Sequence, residues 1–171
     1  MLKKIQQRFL RKLTDKNLKD RDTSKLNDAV KTLGFLVDEE LFYDFERLYA
    51  ISEKMGLQRK DVKIFTFMQV KRKLPSLLQN QINNKHFTWK GEINNQSAKD
   101  FLEMNFDVLV GYYNSKNDYL DVMMSSSNAK FKVGFSETDK RLFDLIIKED
   151  PLKVDRFGNE LIKYLKVLNK I

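Results

Sequence analysis

The sequence predicts a single-domain α/β protein with a mostly parallel, open sheet of about five strands and helices on both faces, a Rossmann-like three-layer arrangement. Three observations predict this class. Short apolar runs of strand length alternate with amphipathic helical patterns. In residues 106–147, three such runs and one helical pattern follow one another directly. The length of 171 residues suits one domain, and 42% apolar residues are enough for a two-sided core.

Residues 1–21 are predicted to form a basic amphipathic helix in front of an α/β domain over residues 22–171. Eight basic and two acidic side chains give this segment a net charge of +6, whereas the other 150 residues carry 24 basic and 22 acidic side chains, a net charge of +2. The apolar stripe consists of Leu2, Ile5, Phe9 and Leu13. We expect this stripe to pack on the domain with the cations in solvent.

An alternative for the same segment is a peripheral anchor that binds anionic lipid or nucleic acid. Such contacts would be electrostatic and would weaken with salt. The cations that would make them are Lys3, Lys4, Arg8, Arg11 and Lys12.

The first half of the domain predicts a strand, a helix and a second strand. The first strand lies in the later part of the segment 29–37. Asp38 follows it and can cap a helix that runs to Met55. The second strand spans Val62 to Met68 and should pair in parallel with the first, because a helical crossover normally joins parallel neighbours. Residues 70–93, which include Pro75, predict a long irregular excursion with one helical turn.

The second half predicts three further strands and three helices. Ser97 opens a short helix, and Pro151 opens a last helix that runs towards the C-terminus. Between them the pattern predicts a strand over Asp107 to Tyr112, a helix over Asp118 to Asn128, a strand over Phe131 to Phe135 and a strand over Leu142 to Ile147.

The composition excludes several chemistries. The chain has no Cys, so thiolate nucleophiles, disulfides and zinc-thiolate sites are absent, and its single histidine, His86, cannot form a two-His metal site. The six glycines stand singly, so neither GxGxxG nor GxxxxGK[ST] can be written. We therefore predict no catalytic residue, no metal and no cofactor. A cytoplasmic location is expected, because no signal peptide or membrane span is present.

One predicted cleft lies where the third and fourth strands end. Polar residues follow both strands, and a helix begins directly after the third. Free amides at a helix start after a strand can bind a phosphate, although a polar capped turn is the plainer interpretation. The candidate ligand-binding residues are Tyr112, Asn114, Ser115, Lys116, Ser136 and Glu137.

Aromatic and basic residues interleave in two places, a combination typical of platforms that stack single-stranded nucleic acid. The first place is Phe65 to Lys73 and the second is Phe87 to Lys90. Because Phe65 and Phe67 fall within a predicted buried strand, we expect a core role for them instead.

Several segments resemble an uncharacterised domain family of the Bacteroidota. They read KTLGFLVDE, FTWKGEI, FDVLVGYYN, SNAKFKVGFSETDKRLFDLII and FGNELIKYLKVLNKI. This resemblance covers most of the chain after the N-terminal helix and implies a bacterial protein, but no activity.

Phe106 to Phe135 also resembles the N-terminal half of heptosyltransferase-type glycosyltransferases, in which a strand, a helix and a strand with a Gly-aromatic pair follow in this order. The chain departs from that pattern. It lacks the second sugar-nucleotide-binding half, and Asp38-Glu39 stands where the glycine turn would be. This resemblance supports the α/β fold more than the chemistry.

The sequence as a whole favours a binding or interaction module without catalysis. It does not identify the partner, for which a protein is one candidate. The alternatives are a sugar- or nucleotide-binding, enzyme-like domain related to glycosyltransferase halves, and the anchor formed by residues 1–21.

Overall fold

The structure is a computed structural model that describes residues 1–73 and 79–171. Its strands are β1 (Leu33–Asp38), β2 (Val62–Met68), β3 (Gln81–Asn83), β4 (Val108–Tyr112), β5 (Phe131–Phe135) and β6 (Leu145–Ile147). Its helices are α1 (Leu2–Asp20), α2 (Phe45–Lys54), α3 (Gln96–Glu103), α4 (Asp118–Ser126) and α5 (Val154–Val167). The excursion predicted around Pro75 lies partly outside the described residues.

The strands form one open, all-parallel sheet in the order β3-β2-β1-β4-β5-β6. The predicted fold class is confirmed, with β3 as an additional short strand. Strands β1 and β2 pair in parallel as predicted, with Leu33 opposite Val62. The strand order reverses between β1 and β4. In open α/β sheets, ligands bind outside the carboxyl ends of the strands at such a reversal, so this edge is the first place to look for a site.

Helices cover both faces of the sheet, so its strands are apolar on both sides. Strand β4 shows the alternation. Leu109 and the next residue after the strand, Tyr113, belong to the core beneath α1, α3 and α4, whereas Val110 and Tyr112 belong to the core beneath α2 and α5. The predicted three-layer arrangement is therefore confirmed.

Two predicted boundaries are wrong at the start of helices. Asp38 still pairs with Phe67 as the last residue of β1, and its carboxylate accepts a hydrogen bond from the Glu40 amide at 3.1 Å. This closes a turn, and α2 begins only at Phe45. The last helix likewise begins at Val154, because Pro151 lies in a turn before it.

The segment 79–93 has more structure than the sequence predicted. Strand β3 pairs in parallel with β2, and a single 3-10 turn, Asn84–His86, follows it. A hairpin then bends between Phe87 and Ile93. Its turn needs Gly91, which has φ +84 and lies so close to α1 that an added Cβ would meet Leu10 and Leu13 at 3.0 Å.

Helix α1 packs along α4, and only the second half of the predicted stripe takes part: Leu13 packs against the core and Phe9 against Trp89. Leu10 and Thr14 are the buried residues of α1, whereas Leu2 is 75% and Ile5 38% exposed. Leu10 lies at the centre of the packed face of α1, so the predicted stripe lies at the edge of that face. None of the helices in the described residues has the length and apolar content to cross a membrane.

A lysine is buried inside the fold near the amino ends of the strands. Lys132 of β5 is only 1% exposed, and its Nζ donates to the Met124 carbonyl at 2.5 Å. Burial, with a contribution from nearby Arg21, lowers the pKa of Lys132 to about 7. The carboxylate of Asp144 accepts from the Lys132 backbone amide and pairs with Arg21.

Candidate functional site

The N-terminal half of α1 lies across the carboxyl edge of the sheet and separates two clefts. Leu2, Lys3 and Gln6 line one cleft, whereas Gln7 and Arg11 line the other. We name them the cationic cleft, on the β2 and β3 side, and the paired cleft, on the β4 and β5 side. Both are bounded by loops that follow strands.

Gln6 fixes this division. Its Nε2 donates to the carbonyls of Phe87, at 3.3 Å, and Thr88, at 3.0 Å. Its Oε1 accepts from the Tyr119 hydroxyl at 2.8 Å. One side chain of α1 is therefore bonded both to the loop after β3 and to the first turn of α4.

The cationic cleft has a volume of about 520 Å³ and contains three lysines from three separate segments. Lys3 comes from α1, Lys71 from the loop after β2 and Lys85 from the loop after β3. No Asp or Glu lines the cleft, and none of the three lysines forms an ion pair with any of the described residues. The cleft therefore carries uncompensated positive charge.

Aromatic side chains form the rest of its wall. Phe87 is buried and packs edge to face with Tyr119, with ring centroids 5.0 Å apart. Trp89 is 55% exposed and packs edge to face with Phe9, at 5.4 Å. The exposed indole leaves a flat apolar surface beside the lysines.

The two loops behind the cleft are held by side-chain hydrogen bonds. Buried Asn84 accepts from the Val70 amide at 2.7 Å and so joins the ends of β2 and β3. His86 Nδ1 accepts from the Asn83 amide at 3.1 Å. Burial, with a contribution from Lys73, lowers the pKa of His86, which keeps the imidazole neutral at pH 7. The chain's one histidine thus supports a loop.

The paired cleft is larger, at about 720 Å³, and its charges are compensated. The Arg141 guanidinium pairs with Asp139 at 2.7 Å and with Asp15 of α1 at 3.0 Å. Arg11 of α1 pairs with Asp118 of α4 at 3.1 Å. These pairs connect α1 to both walls of the cleft. Lys116 and Lys140 also line it and form no ion pair with any of the described residues, but four Asp side chains stand beside the four cations of the lining, so no large excess of positive charge remains.

Asp121 is the unusual group of the paired cleft. It is 8% exposed, because the sheet and α1 enclose α4 from two sides, and burial raises its pKa to about 7. The hydroxyl of fully buried Tyr113 donates to Asp121 Oδ1 at 2.8 Å. At neutral pH this carboxyl group is therefore about half protonated and can donate or accept a proton.

The structure brings together most residues of the predicted cleft. Asn114 Oδ1 accepts from the Glu137 amide at 2.9 Å and joins the loops after β4 and β5. Ser136 donates to the Glu137 carboxylate at 3.3 Å, and Lys116 lines the paired cleft. Ser115 is exposed. Whether these residues bind a ligand stays a prediction.

Tyr112 lies apart from them. Successive strand residues point to opposite faces, so its ring packs between Phe135 and Phe157 in the core beneath α5. Its hydroxyl donates to the Pro151 carbonyl at 2.5 Å. The neighbouring Tyr113, which the sequence did not single out, lies in the core beneath the paired cleft, where its hydroxyl donates to Asp121.

Sequence reasoning missed the cationic cleft. The expected core role of Phe65 and Phe67 is confirmed, since both are buried. The useful signal was the pair of lysines that closely follow strand ends, Lys71 after β2 and Lys85 after β3. That signal could be used only once β3 was known.

Within the described residues, no group of three or more His, Cys, Asp or Glu side chains is placed to hold a metal ion. Comparison with curated proteins gives no match, and comparison with solved structures gives none either. Residues 6–168 match a family model described as a family of unknown function, DUF6913. The match includes most of α1, the whole lining of the paired cleft, and the lining of the cationic cleft apart from Leu2 and Lys3. The chain belongs to that family.

Proposed function

We propose that the protein is a non-catalytic binding domain for a small phosphorylated molecule with a flat ring, such as a nucleotide, held in the cationic cleft. The convergence of Lys3, Lys71 and Lys85 without a carboxylate among the lining residues supports this most directly. Like charges that face one cleft repel one another, and an anionic group removes that repulsion by pairing with them.

The aromatic wall of the cleft supports the proposal that the ligand also contains a flat ring. A planar ring can stack on the exposed indole of Trp89 while its phosphate reaches the lysines. Stacking of a base on an aromatic side chain contributes about 1–3 kcal/mol. A nucleotide uses both features of the cleft, whereas inorganic phosphate uses only the charge.

The absence of catalysis is inferred from the lining of the cleft. Among the described residues, no Asp, Glu, His, Ser or Thr lines it. Burial raises the pKa of Tyr119, so its phenol stays protonated at neutral pH. The cleft thus offers groups that hold an anion and no carboxylate, imidazole or hydroxyl that would act as an activated base or nucleophile.

The test is a screen of nucleotides, nucleotide sugars and sugar phosphates by thermal shift, followed by calorimetric titration of any hit. A ligand at about 100 times its Kd should stabilise the protein by about 2.7 kcal/mol. The double substitution Lys71→Ala and Lys85→Ala should weaken binding at least about tenfold, since charged hydrogen bonds contribute about 1.5–3 kcal/mol each.

The matched control is Lys163→Ala with Lys166→Ala, which makes the same charge change on exposed positions of α5, across the sheet. It should leave affinity unchanged. The proposal is wrong if no phosphorylated compound binds, or if the control loses as much affinity as the cleft variant.

A second candidate function is an enzyme-like domain that recognises a sugar or nucleotide in the paired cleft, in line with the glycosyltransferase resemblance. The observation that favours it is Asp121, whose pKa of about 7 suits a proton donor. Incubation with nucleotide sugars should then yield a product that Asp121→Asn abolishes. A lack of any product from the native chain would argue against this function.

The setting of either function is also part of the proposal. A bacterial origin, a cytoplasmic location and a protein partner stay predictions from the sequence.

A further inference from the structure

We propose that the exposed side of α1 and Trp89 form a docking surface for an anionic lipid bilayer. We name this the docking surface and define it by Leu2, Ile5, Phe9 and Trp89 with the neighbouring cations Lys4, Arg8, Lys12 and Lys90. Leu2 and Trp89 also line the cationic cleft, whereas Ile5, Phe9 and the four cations of this surface do not, so substitutions at Ile5, Lys4 and Arg8 test the docking surface apart from that cleft.

The apolar part of this surface is not used by the fold. Leu10 and Thr14 hold α1 against the domain, whereas Leu2 and Ile5 project into solvent. The Thr88–Glu92 turn places Trp89 against Phe9, so the exposed indole extends the same apolar strip. Aliphatic side chains beside a half-exposed Trp are the groups that enter the boundary between lipid headgroups and acyl chains.

The charges around the strip are of one sign. Residues 1–14 contain five cations and no acidic residue, and the first acid of the chain is Asp15. Lys12 lies over the Phe9 ring and Lys90 over the Trp89 ring, at 5.9 and 5.2 Å, so two cations border the apolar strip directly. A ring of cations around a small apolar patch is complementary to an anionic membrane surface.

The apolar strip also separates lipid from nucleic acid as the partner. A nucleic acid would pair with the cations and stack on Trp89, but it would give Leu2 and Ile5 no contact that replaces water. A bilayer accommodates the cations, the indole and both aliphatic side chains at once. The observations therefore favour lipid.

The experiment is cosedimentation of the full chain with vesicles of phosphatidylcholine containing phosphatidylserine, with pure phosphatidylcholine vesicles beside them. Trp89 is the single tryptophan, so a blue shift of its emission reports entry of the indole into the interface. We expect binding and a blue shift only with phosphatidylserine, and loss of both near 1 M salt, where the Debye length is about 3 Å.

Two variants separate the parts of the surface. Lys4→Glu with Arg8→Glu should weaken vesicle binding at least about 25-fold, because each cation near an anionic membrane contributes about fivefold and charge reversal adds repulsion. Ile5→Ser should weaken binding severalfold and reduce the blue shift. Lys163→Glu with Lys166→Glu on α5 is the matched charge control and should bind like the native chain.

Three results would overturn the docking surface. They are no binding to phosphatidylserine vesicles, vesicle binding that Ile5→Ser leaves unchanged, and tighter binding to a single-stranded oligonucleotide than to vesicles. The cleft variant Lys71→Ala with Lys85→Ala keeps the docking surface intact and should still bind vesicles. Loss of nucleotide binding and loss of vesicle binding are therefore distinguishable.

Discussion

The two clefts at the carboxyl edge share one helix as their common wall, yet their charges differ. The paired cleft is lined by cations and carboxylates together, whereas the cationic cleft is lined by cations alone. In the paired cleft, Arg11 and Arg141 find carboxylates, and the buried Asp121 is partly protonated. In the cationic cleft, the lysines have no carboxylate among the lining residues. The comparison teaches that abundant charge does not mark a binding site. Charge that the fold does not neutralise is the better indicator, because a ligand then supplies the missing partner.

The difference between the two clefts depends on the position of α1, which is their common wall. Among single substitutions, Leu10→Ala should disturb that position most strongly. Leu10 is fully buried, and removing its side chain leaves a cavity that costs about 2–5 kcal/mol. Urea unfolding should show this loss, and ligand binding in the cationic cleft should weaken with it. Leu2→Ala, the same change at an exposed position, should stay within about 0.5 kcal/mol.

Asp121→Asn tests whether the ionised carboxylate of Asp121 destabilises the folded chain. The pKa of Asp121 is about 7 in the folded chain and near 3.9 when unfolded, so the stability from its protonated form is present below pH 3.9 and is lost as pH rises through 7. An amide keeps the acceptor for Tyr113 without ionising. The variant should be more stable than the native chain by about 2–4 kcal/mol at pH 8, with a smaller gain at pH 5.

The measurement for this variant is urea unfolding at both pH values. A loss of stability that is equal at pH 5 and pH 8 would mean that the carboxylate is ionised and favourable in the fold.

Gln6→Ala removes the side chain that keeps the clefts separate. Its three hydrogen bonds are partly buried, so we expect a loss of about 1–3 kcal/mol in denaturant unfolding. Gln7→Ala is the control, because among the described residues the Gln7 side chain makes no hydrogen bond. If the two variants lose the same free energy of unfolding, then the hydrogen bonds of Gln6 do not hold α1 between the clefts.

Arg141→Ala should have the smallest effect. Its ion pairs with Asp139 and Asp15 are largely exposed, and such pairs contribute less than about 1 kcal/mol. Thermal unfolding at low and high salt should show a difference that shrinks as salt rises. A large, salt-independent loss would mean that this pair closes the paired cleft structurally.

The sheet could be predicted well where apolar and aromatic residues are concentrated. Strands β2 and β5 match the predicted bounds residue for residue, because each begins and ends with an apolar side chain and polar residues flank it on both sides. Strand β3 could not be predicted in the same way. Its three residues, Gln81–Asn83, contain a single apolar side chain, and only the pairing with β2 makes them a strand.

The clefts were harder to predict than the strands. Lys3 and Lys85 lie more than 80 positions apart in the sequence, so no local pattern brings them together. The contact between the loops after β4 and β5 was predictable, because parallel strands end at one edge. The protonation of Asp121 was not, since it depends on α1 covering α4 from outside.

The buried lysine of β5 has a consequence for proton exchange during unfolding. At pH 7 Lys132 is about half protonated in the fold and takes up about half a proton when the chain unfolds, whereas Asp121 is also about half protonated and releases about half a proton. The two contributions have opposite sign and similar size. Near neutrality they largely cancel, so this pair adds little to the dependence of the calorimetric unfolding enthalpy on the ionisation heat of the buffer.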